Sequence, residues 1–232
     1  MRRFGLIPAA GSGARFGSPH PKQYSLLAGV PILRRSIEAL AAGVELEAIF
    51  VVLAPGDSLY ARHVGALPGV LPLFCGGGTR AQSVANGLAA MSERAQTDDW
   101  VLVHDAARPC VDAASLRRLV QTLQDDDVGG LLALPVDDSL KRAAPDPPLR
   151  VACSERREGL WRAQTPQMFR YGVLRRALES AVAAAPGDEA AAVEALGLTV
   201  RLVLGSPRNI KITHADDLAL AEHLWAQVAE LT

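Results

Sequence analysis

Phe4-Gly5-Leu6-Ile7-Pro8 runs without a break into Ala9-Ala10-Gly11-Ser12-Gly13-Ala14-Arg15-Phe16-Gly17-Ser18-Pro19-His20-Pro21-Lys22-Gln23. A short apolar run that ends in a proline and a glycine-rich turn reads as a buried strand followed by a loop. The same punctuation recurs along the chain, and residues 48–54, 70–75, 100–104, 130–136 and 200–204 read as further buried strands. Amphipathic helical patterns separate them. Pro31 opens one through Ile32, Leu33, Ile37 and Leu40, and Gly43 ends it. Asp57, Thr79 and Asp112 stand where helix caps are expected, and a last helix spans about residues 214–231. Strand–helix alternation predicts an α/β protein with a mostly parallel sheet and helices on both faces. Ligands of such sheets sit beyond the carboxyl ends of the strands. Chemistry is therefore expected in the loops after Pro8, Cys75, His104 and Val136.

One segment breaks the pattern. Residues 137–157 are polar and charged, with Pro145, Pro147 and Pro148 near the middle. They read as a protruding arm on a single domain covering residues 1–232.

Composition narrows the function. Of the 232 residues 49% are hydrophobic and 21% charged, the balance of an ordinary globular protein. The formal net charge of -1 lacks the basic excess of a general nucleic-acid or membrane-surface binder. Cys75, Cys110 and Cys153 are odd in number and show no CxxC spacing, which argues against a disulfide framework or a zinc site and suits a reducing cytoplasm. Pro8 and Gly11 cut the N-terminal apolar run too short for a signal peptide. No run approaches the roughly 18 apolar residues of a membrane span. Lysine is scarce: Lys22, Lys141 and Lys211 are the only ones. An ammonium is a compact, strongly hydrated charge that arginine does not reproduce.

The glycines of residues 11–17 let backbone N–H groups turn toward phosphate oxygens, and Arg15 and Lys22 add full positive charge. The dinucleotide fingerprint fails because Phe16 stands at its third glycine, and the GxxxxGK[ST] loop is absent. Glycines alone would serve equally for a tight strand–helix turn; two cations on the same loop call for an anion. Asp105, in Val103-His104-Asp105-Ala106-Ala107-Arg108-Pro109, follows a predicted strand. There it suits either Mg²⁺ binding by one carboxylate with phosphate oxygens, or the tying of a turn. His104, at a buried strand end, reads as structural and not as a general base.

PAAGSGARFG followed by PKQY resembles the signature loop of the methylerythritol phosphate cytidylyltransferase family. The blocks HDAARP at 104–109, GGGTRAQSV at 76–84, PVDDSLK at 135–141, WRAQTPQ at 161–167, DEA at 188–190 and NIKIT at 209–213 resemble the family's other motifs, in family order. The resemblance covers roughly residues 4–222. It implies a three-layer Rossmann-like nucleotidyltransferase fold, a mostly parallel twisted sheet with a protruding β-arm. It implies CTP as donor, 2-C-methyl-D-erythritol 4-phosphate as acceptor, and Mg²⁺ or Mn²⁺ on Asp105. By resemblance Arg15, Lys22 and Lys211 contact the phosphates. Ala9, Ala10, Gly11 and Gly13 lie along the nucleotide, and Gly77, Gly78 and Ser83 recognise cytosine, with Arg80 fixing the loop. Arg108 and Thr165 hold the acceptor. Ser139 and Arg157, on an arm that crosses into a second subunit, complete the partner's site in a homodimer. The family has threonine where Ser139 stands, so a hydroxyl is kept and a methyl lost. Glycine at 187 likewise replaces a frequent threonine.

A phosphate monoester is anionic near neutral pH, its second pKa being about 6, so it can attack CTP without a general base. Positioning and charge are expected to carry the reaction. Two rival readings stand beside this one. A ribitol 5-phosphate cytidylyltransferase would share the nucleotide motifs and differ around the arm and Thr165. A non-catalytic nucleotide-binding module predicts loss of Arg15, Lys22 or Asp105, and all three are present.

Overall fold

The computed structural model describes residues 1–11, 16, 21–145, 147, 149–181 and 187–229. In chain order these form β1 (Arg3–Pro8), a 3₁₀ turn (Lys22–Tyr24), β2 (Leu26–Leu27), β3 (Val30–Pro31), α1 (Ile32–Gly43), β4 (Ala48–Val52), α2 (Leu59–His63) and β5 (Val70–Leu73). Then follow α3 (Arg80–Ala90), β6 (Trp100–Val103), α4 (Ala113–Leu123), β7 (Gly129–Pro135), β8 (Leu140–Ala143) and β9 (Val151–Glu155). The last elements are β10 (Trp161–Arg170), α5 (Tyr171–Ala181), α6 (Glu189–Glu194), β11 (Arg201–Leu204) and α7 (Ala215–Ala229).

Seven strands make one sheet in the order β11-β7-β10-β6-β1-β4-β5. All neighbours are parallel except β10, which runs antiparallel to both β6 and β7. Period-2 alternation sends successive side chains to opposite faces. Phe4, Leu6, Phe50, Val52, Val101 and Val103 pack with α3, α5 and α6 residues on one face. Ile7, Ile49, Val51, Trp100 and Leu102 pack with α1 and α4 residues on the other. Central strands buried on both sides explain why they read as unbroken apolar runs.

The expected caps take their places. Thr79 Oγ1 accepts from the Gln82 N–H at 3.1 Å, and Asp112 Oδ1 from the Ser115 N–H at 2.7 Å. Asp57 Oδ1 accepts from the N–H groups of both Leu59 and Tyr60, although Ser58 is the residue at the cap position. Asp217 Oδ2 receives the N–H groups of Thr213 and His214 ahead of α7. In α2, α3 and α4 the first N–H groups are met by a side chain at or just before the start.

The strand ends retreat from the sequence reading. β4 closes at Val52 and β5 at Leu73, so Leu53, Ala54, Phe74 and Cys75 belong to the loops. The larger departure is β10, a strand next to the sheet centre with Pro166 inside it. Proline has no N–H for a ladder and argues against an inner strand. The chain resolves this with an irregularity: pairing with β7 breaks between Ala163 and Gln167, around a cis Thr165–Pro166 bond. β8 and β9 pair antiparallel in a separate two-stranded sheet whose side chains are mostly exposed, in the segment read as the arm. Among the described residues no helix is long and apolar enough to cross a membrane.

Candidate active site

The loops after β1, β5 and β6 and the segment before α7 meet around one cavity of about 530 Å³. Ala9, Ala10 and Gly11 form one wall, and Gly77, Gly78, Arg80 and Ser83 the facing one. Lys22, Asp105 and Lys211 also line it. The loop after β7 does not contribute, so one of the four loops marked in the sequence lies outside the cavity. Gly13 and Arg15 fall outside the described residues.

Local geometry explains the glycine wall. The Gly76 N–H donates to the Leu53 carbonyl at 2.8 Å, and a Cβ on Gly76 would come within 2.3 Å of the Ala10 Cβ. Only glycine lets the two walls approach so closely at their base. Ser83 Oγ accepts from the Gly77 N–H at 3.0 Å and donates to the Thr79 carbonyl at 2.9 Å, so its hydroxyl shapes this turn.

Asp105 is the electrostatic centre. It is 7% exposed and faces three cations: Lys211 Nζ at 2.8 Å, Arg80 Nε at 3.0 Å and Arg108 Nε at 3.5 Å. Burial alone would raise its pKa, but Arg80, Lys211 and Arg108 outweigh burial and hold the carboxyl well below the usual carboxylate range. The carboxylate is therefore ionised, and its pull on Lys211 ties the β6 loop to the segment before α7. The Ile212 N–H donates to the Ala107 carbonyl at 2.9 Å, and Lys22 Nζ donates to the Ile212 carbonyl at 2.7 Å, which fastens the first loop to the same segment.

Thr165 and His104 support Asp105 from below. The Asp105 N–H donates to Thr165 Oγ1 at 3.0 Å, Thr165 Oγ1 lies 3.1 Å from His104 Nδ1, and His104 Nε2 lies 3.0 Å from the Arg108 carbonyl. A carbonyl only accepts, so Nε2 carries the proton and Nδ1 accepts from the threonine. Burial pushes the His104 pKa down to about 4, from an ordinary 6.5. The ring is neutral at pH 7 and both nitrogens are committed, which fits a structural histidine. A folded-state pKa below the unfolded value means that the stability it lends is present above pH 6.5 and is lost as pH falls toward about 4. Unfolding in metal-free buffer should show that loss, and His104→Gln should flatten it; an unchanged slope would show that His104 titrates normally.

Arg108 Nη1 donates to the Asn209 carbonyl at 2.7 Å, and Asn209 Nδ2 to the Thr165 carbonyl at 2.8 Å. Arg108 also lines a smaller cavity of about 260 Å³ together with Arg162, Gln164, Asn209 and Lys211. Gln164 Oε1 and Asn209 Oδ1 are buried without a hydrogen-bond partner among the described residues, while Arg108 Nε faces Asp105. Ser139 and Arg157 are exposed and line neither cavity. Arg157 Nη1 donates to the Asp137 carbonyl within the arm.

Sequence reasoning gave Arg80 a loop-fixing role and named Glu189 only as part of the DEA block, without a role. The structure joins both to Asp105: Arg80 bridges Asp105 and Glu189, which is 1% exposed. A signal was available, since a carboxylate among the alanines of 190–192 must find a cation if it is buried.

Cations gathered round one ionised carboxylate, beyond the carboxyl ends of parallel strands and against a glycine-walled cavity, suit the transfer of a nucleotide between phosphates. The fold and this arrangement define the class of nucleotidyltransferases. Comparison with known proteins separates the members of that class. The family model for 2-C-methyl-D-erythritol 4-phosphate cytidylyltransferase (IspD) matches residues 4–227. Proteins of that name from Azoarcus sp. (strain BH72) and Nitrosospira multiformis are each 52% identical to this chain over 223 residues. The alignments cover 95% of this chain and 93% of the first, and 94% of this chain and 95% of the second. A crystal structure of 4-diphosphocytidyl-2C-methyl-D-erythritol synthase superposes with a TM-score of 0.84 at 37% identity, covering 97% of this chain and 98% of that one. The IspD of Francisella tularensis gives 0.81 at 34%, covering 97% of this chain and 100% of that one. The chain belongs to the 2-C-methyl-D-erythritol 4-phosphate cytidylyltransferase family.

Proposed function

We propose that this chain works by placing charge around a direct transfer, with Asp105 as its centre. The reaction joins CMP from CTP to 2-C-methyl-D-erythritol 4-phosphate and releases pyrophosphate, a step of non-mevalonate isoprenoid synthesis. A phosphate oxygen of the acceptor attacks the α-phosphorus of CTP, and the bond from that phosphorus to the β-phosphate oxygen breaks. No proton has to leave the acceptor first, because its phosphate is already ionised. The neutral, fully hydrogen-bonded His104 agrees with a site that does no proton transfer.

The family motifs suggest the role of each residue, and for those on the cavity wall their position supports it. Ala9, Ala10 and Gly11 lie along the nucleotide, the family motif assigns Gly13 the same part, and Gly77, Gly78 and Ser83 build the turn that meets the cytosine. Lys22 and Arg15 neutralise the α-phosphate and the departing pyrophosphate. Lys211 and Arg108 hold the acceptor in line, and Thr165, given the same part by the family motif, has its hydroxyl on the Asp105 N–H and His104 and so acts through Asp105. The observation that carries this reading is the ionised Asp105 beside Lys211 at 2.8 Å, on the wall of the glycine-lined cavity.

A hard divalent cation fits Asp105 as one carboxylate ligand. Among the described residues no cluster of three or more His, Cys, Asp or Glu side chains is placed to hold a metal, so phosphate and water oxygens would supply the other ligands. Mg²⁺, or Mn²⁺ in its place, would neutralise triphosphate charge and orient the α-phosphate.

The functional unit is a homodimer in the cytoplasm, with Ser139 and Arg157 of the 137–157 arm completing the partner's acceptor site. Leu149 at 84% exposure and Val151 at 63% give the arm apolar surface that a second subunit would cover. Pyrophosphate release with CTP and Mg²⁺ tests the substrate. Release is expected with methylerythritol phosphate and not with ribitol 5-phosphate. The reverse would move the chain to the other acceptor and void the roles given to Ser139 and Thr165.

A further inference from the structure

Glu189 has no role in the reaction as described, yet it is held with care. It opens α6 directly after Asp188, whose Oδ1 accepts from the Ala191 N–H at 2.9 Å. Gln167 of β10 donates to Asp188 Oδ2 at 3.0 Å and accepts from the Ala190 N–H at 2.8 Å, so the backbone on either side of Glu189 is fixed to the central sheet. Both carboxylate oxygens of Glu189 are taken by one guanidinium: Arg80 Nη1 lies 2.5 Å from Oε1 and Nη2 lies 3.0 Å from Oε2. Arg80 has one edge left, and its Nε donates to Asp105 Oδ1 at 3.0 Å. The other oxygen, Oδ2, faces Lys211 Nζ at 2.8 Å, on a side chain that is 41% exposed.

We infer that Glu189 is a positioning residue for the transfer: it holds Arg80 so that a single N–H reaches Asp105, which leaves Oδ2 able to exchange Lys211 for a divalent cation. This rests on the reading of Asp105 as the metal-facing carboxylate. Two arguments carry it. A guanidinium freed to do so grips a carboxylate through two parallel N–H bonds and covers both oxygens. Glu189 holds Nη1 and Nη2, and the position this gives the guanidinium brings Nε alone within hydrogen-bond distance of Asp105. The second argument is charge. Asp105 and Glu189 supply two negative charges against three positive ones on Arg80, Arg108 and Lys211, a surplus of one. Removing the charge of Glu189 raises the surplus to two, which repels a divalent cation and attracts a triphosphate.

The two affinities should therefore move apart in Glu189→Gln. Mn²⁺ binding to the protein–CTP complex is followed by the electron paramagnetic resonance of free Mn²⁺, and CTP binding in EDTA by calorimetry. Mn²⁺ affinity is expected to weaken about 10–100-fold, the usual loss when a residue that orients a metal ligand is removed. CTP affinity in EDTA is expected to hold or improve, and raised Mg²⁺ should recover kcat. Glu189→Asp keeps the charge with a shorter reach and should give an intermediate Mn²⁺ affinity, which also serves should the Gln variant not fold. Equal weakening of both affinities would reduce Glu189 to a support for the fold, and no change in either would remove it from the site. Asp105→Asn separates the parent reading. If it binds Mn²⁺ as the wild type does, the metal role of Asp105 falls and this inference with it. If it loses Mn²⁺ while Glu189→Gln keeps it, this inference alone falls.

Discussion

Asp105→Asn is expected to lower kcat/KM about 10³-fold, the scale on which a single preorganised charge at a reacting phosphate is felt. The isosteric amide keeps the side-chain shape, and the backbone N–H still reaches Thr165 Oγ1, so the loop should hold its course. What changes is charge. Lys211 and Arg108 lose their carboxylate, and a divalent cation would lose the ligand proposed for it. Stability should fall by about 2 kcal/mol, less than the full cost of orphaning a buried pair, because Lys211 can turn to water and Arg80 keeps Glu189. The pH dependence carries a sign. The Asp105 pKa is depressed in the folded protein, so its stabilisation is present above the unfolded value of about 3.9 and is lost as pH falls below it. The variant should lack that acid loss in metal-free buffer. Steady-state kinetics and acid unfolding measure the two effects, and a variant within tenfold of wild type would take Asp105 out of the reaction.

The second large effect concerns the arm. Arg157→Ala and Lys22→Ala should each be nearly inactive alone. If Arg157 serves the partner's site, mixing the two restores activity. Equal subunit exchange makes half of the dimers mixed, and each mixed dimer holds one intact site of two, so about a quarter of wild-type activity should return. The exposed Arg157 side chain donates to the Asp137 carbonyl of its own arm, which agrees with a target elsewhere. A mixture that stays inactive while native mass spectrometry shows mixed dimers would confine Arg157 to its own subunit.

How far the sequence carried this account depends on the range of the interaction concerned. The capping side chains of Thr79, Asp112 and Asp57 act within three residues, and they were legible one by one. So were the inner parallel strands, because burial on both faces leaves an apolar run as its mark. β10 was hidden by Pro166, which forbids a ladder bond where it stands and is accommodated only by the irregularity between Ala163 and Gln167. α5 places Tyr171, Leu174 and Leu178 on the core side at helical spacing, a helix absent from the sequence reading. The site divides in the same way. Lys22, Asp105 and Lys211 stand in matched blocks and converge on one cavity. Glu189 lies 109 residues from Arg80, so the local sequence marks a carboxylate among alanines but not its partner. Ser139 and Arg157 stay apart from both cavities, and the proposed dimer would give them a target in another subunit.

The central claim is that the acceptor phosphate displaces pyrophosphate directly, with the protein supplying charge and position and no covalent intermediate. The stereochemical course at the α-phosphorus tests it most directly. CTP made chiral at that centre with an α-thio group is turned over with methylerythritol phosphate, and the product's configuration is read by phosphorus magnetic resonance. A single in-line displacement inverts the centre, and inversion is the expected result. Retention would mean two displacements through a nucleotidylated side chain, and would contradict a site built only to place charge.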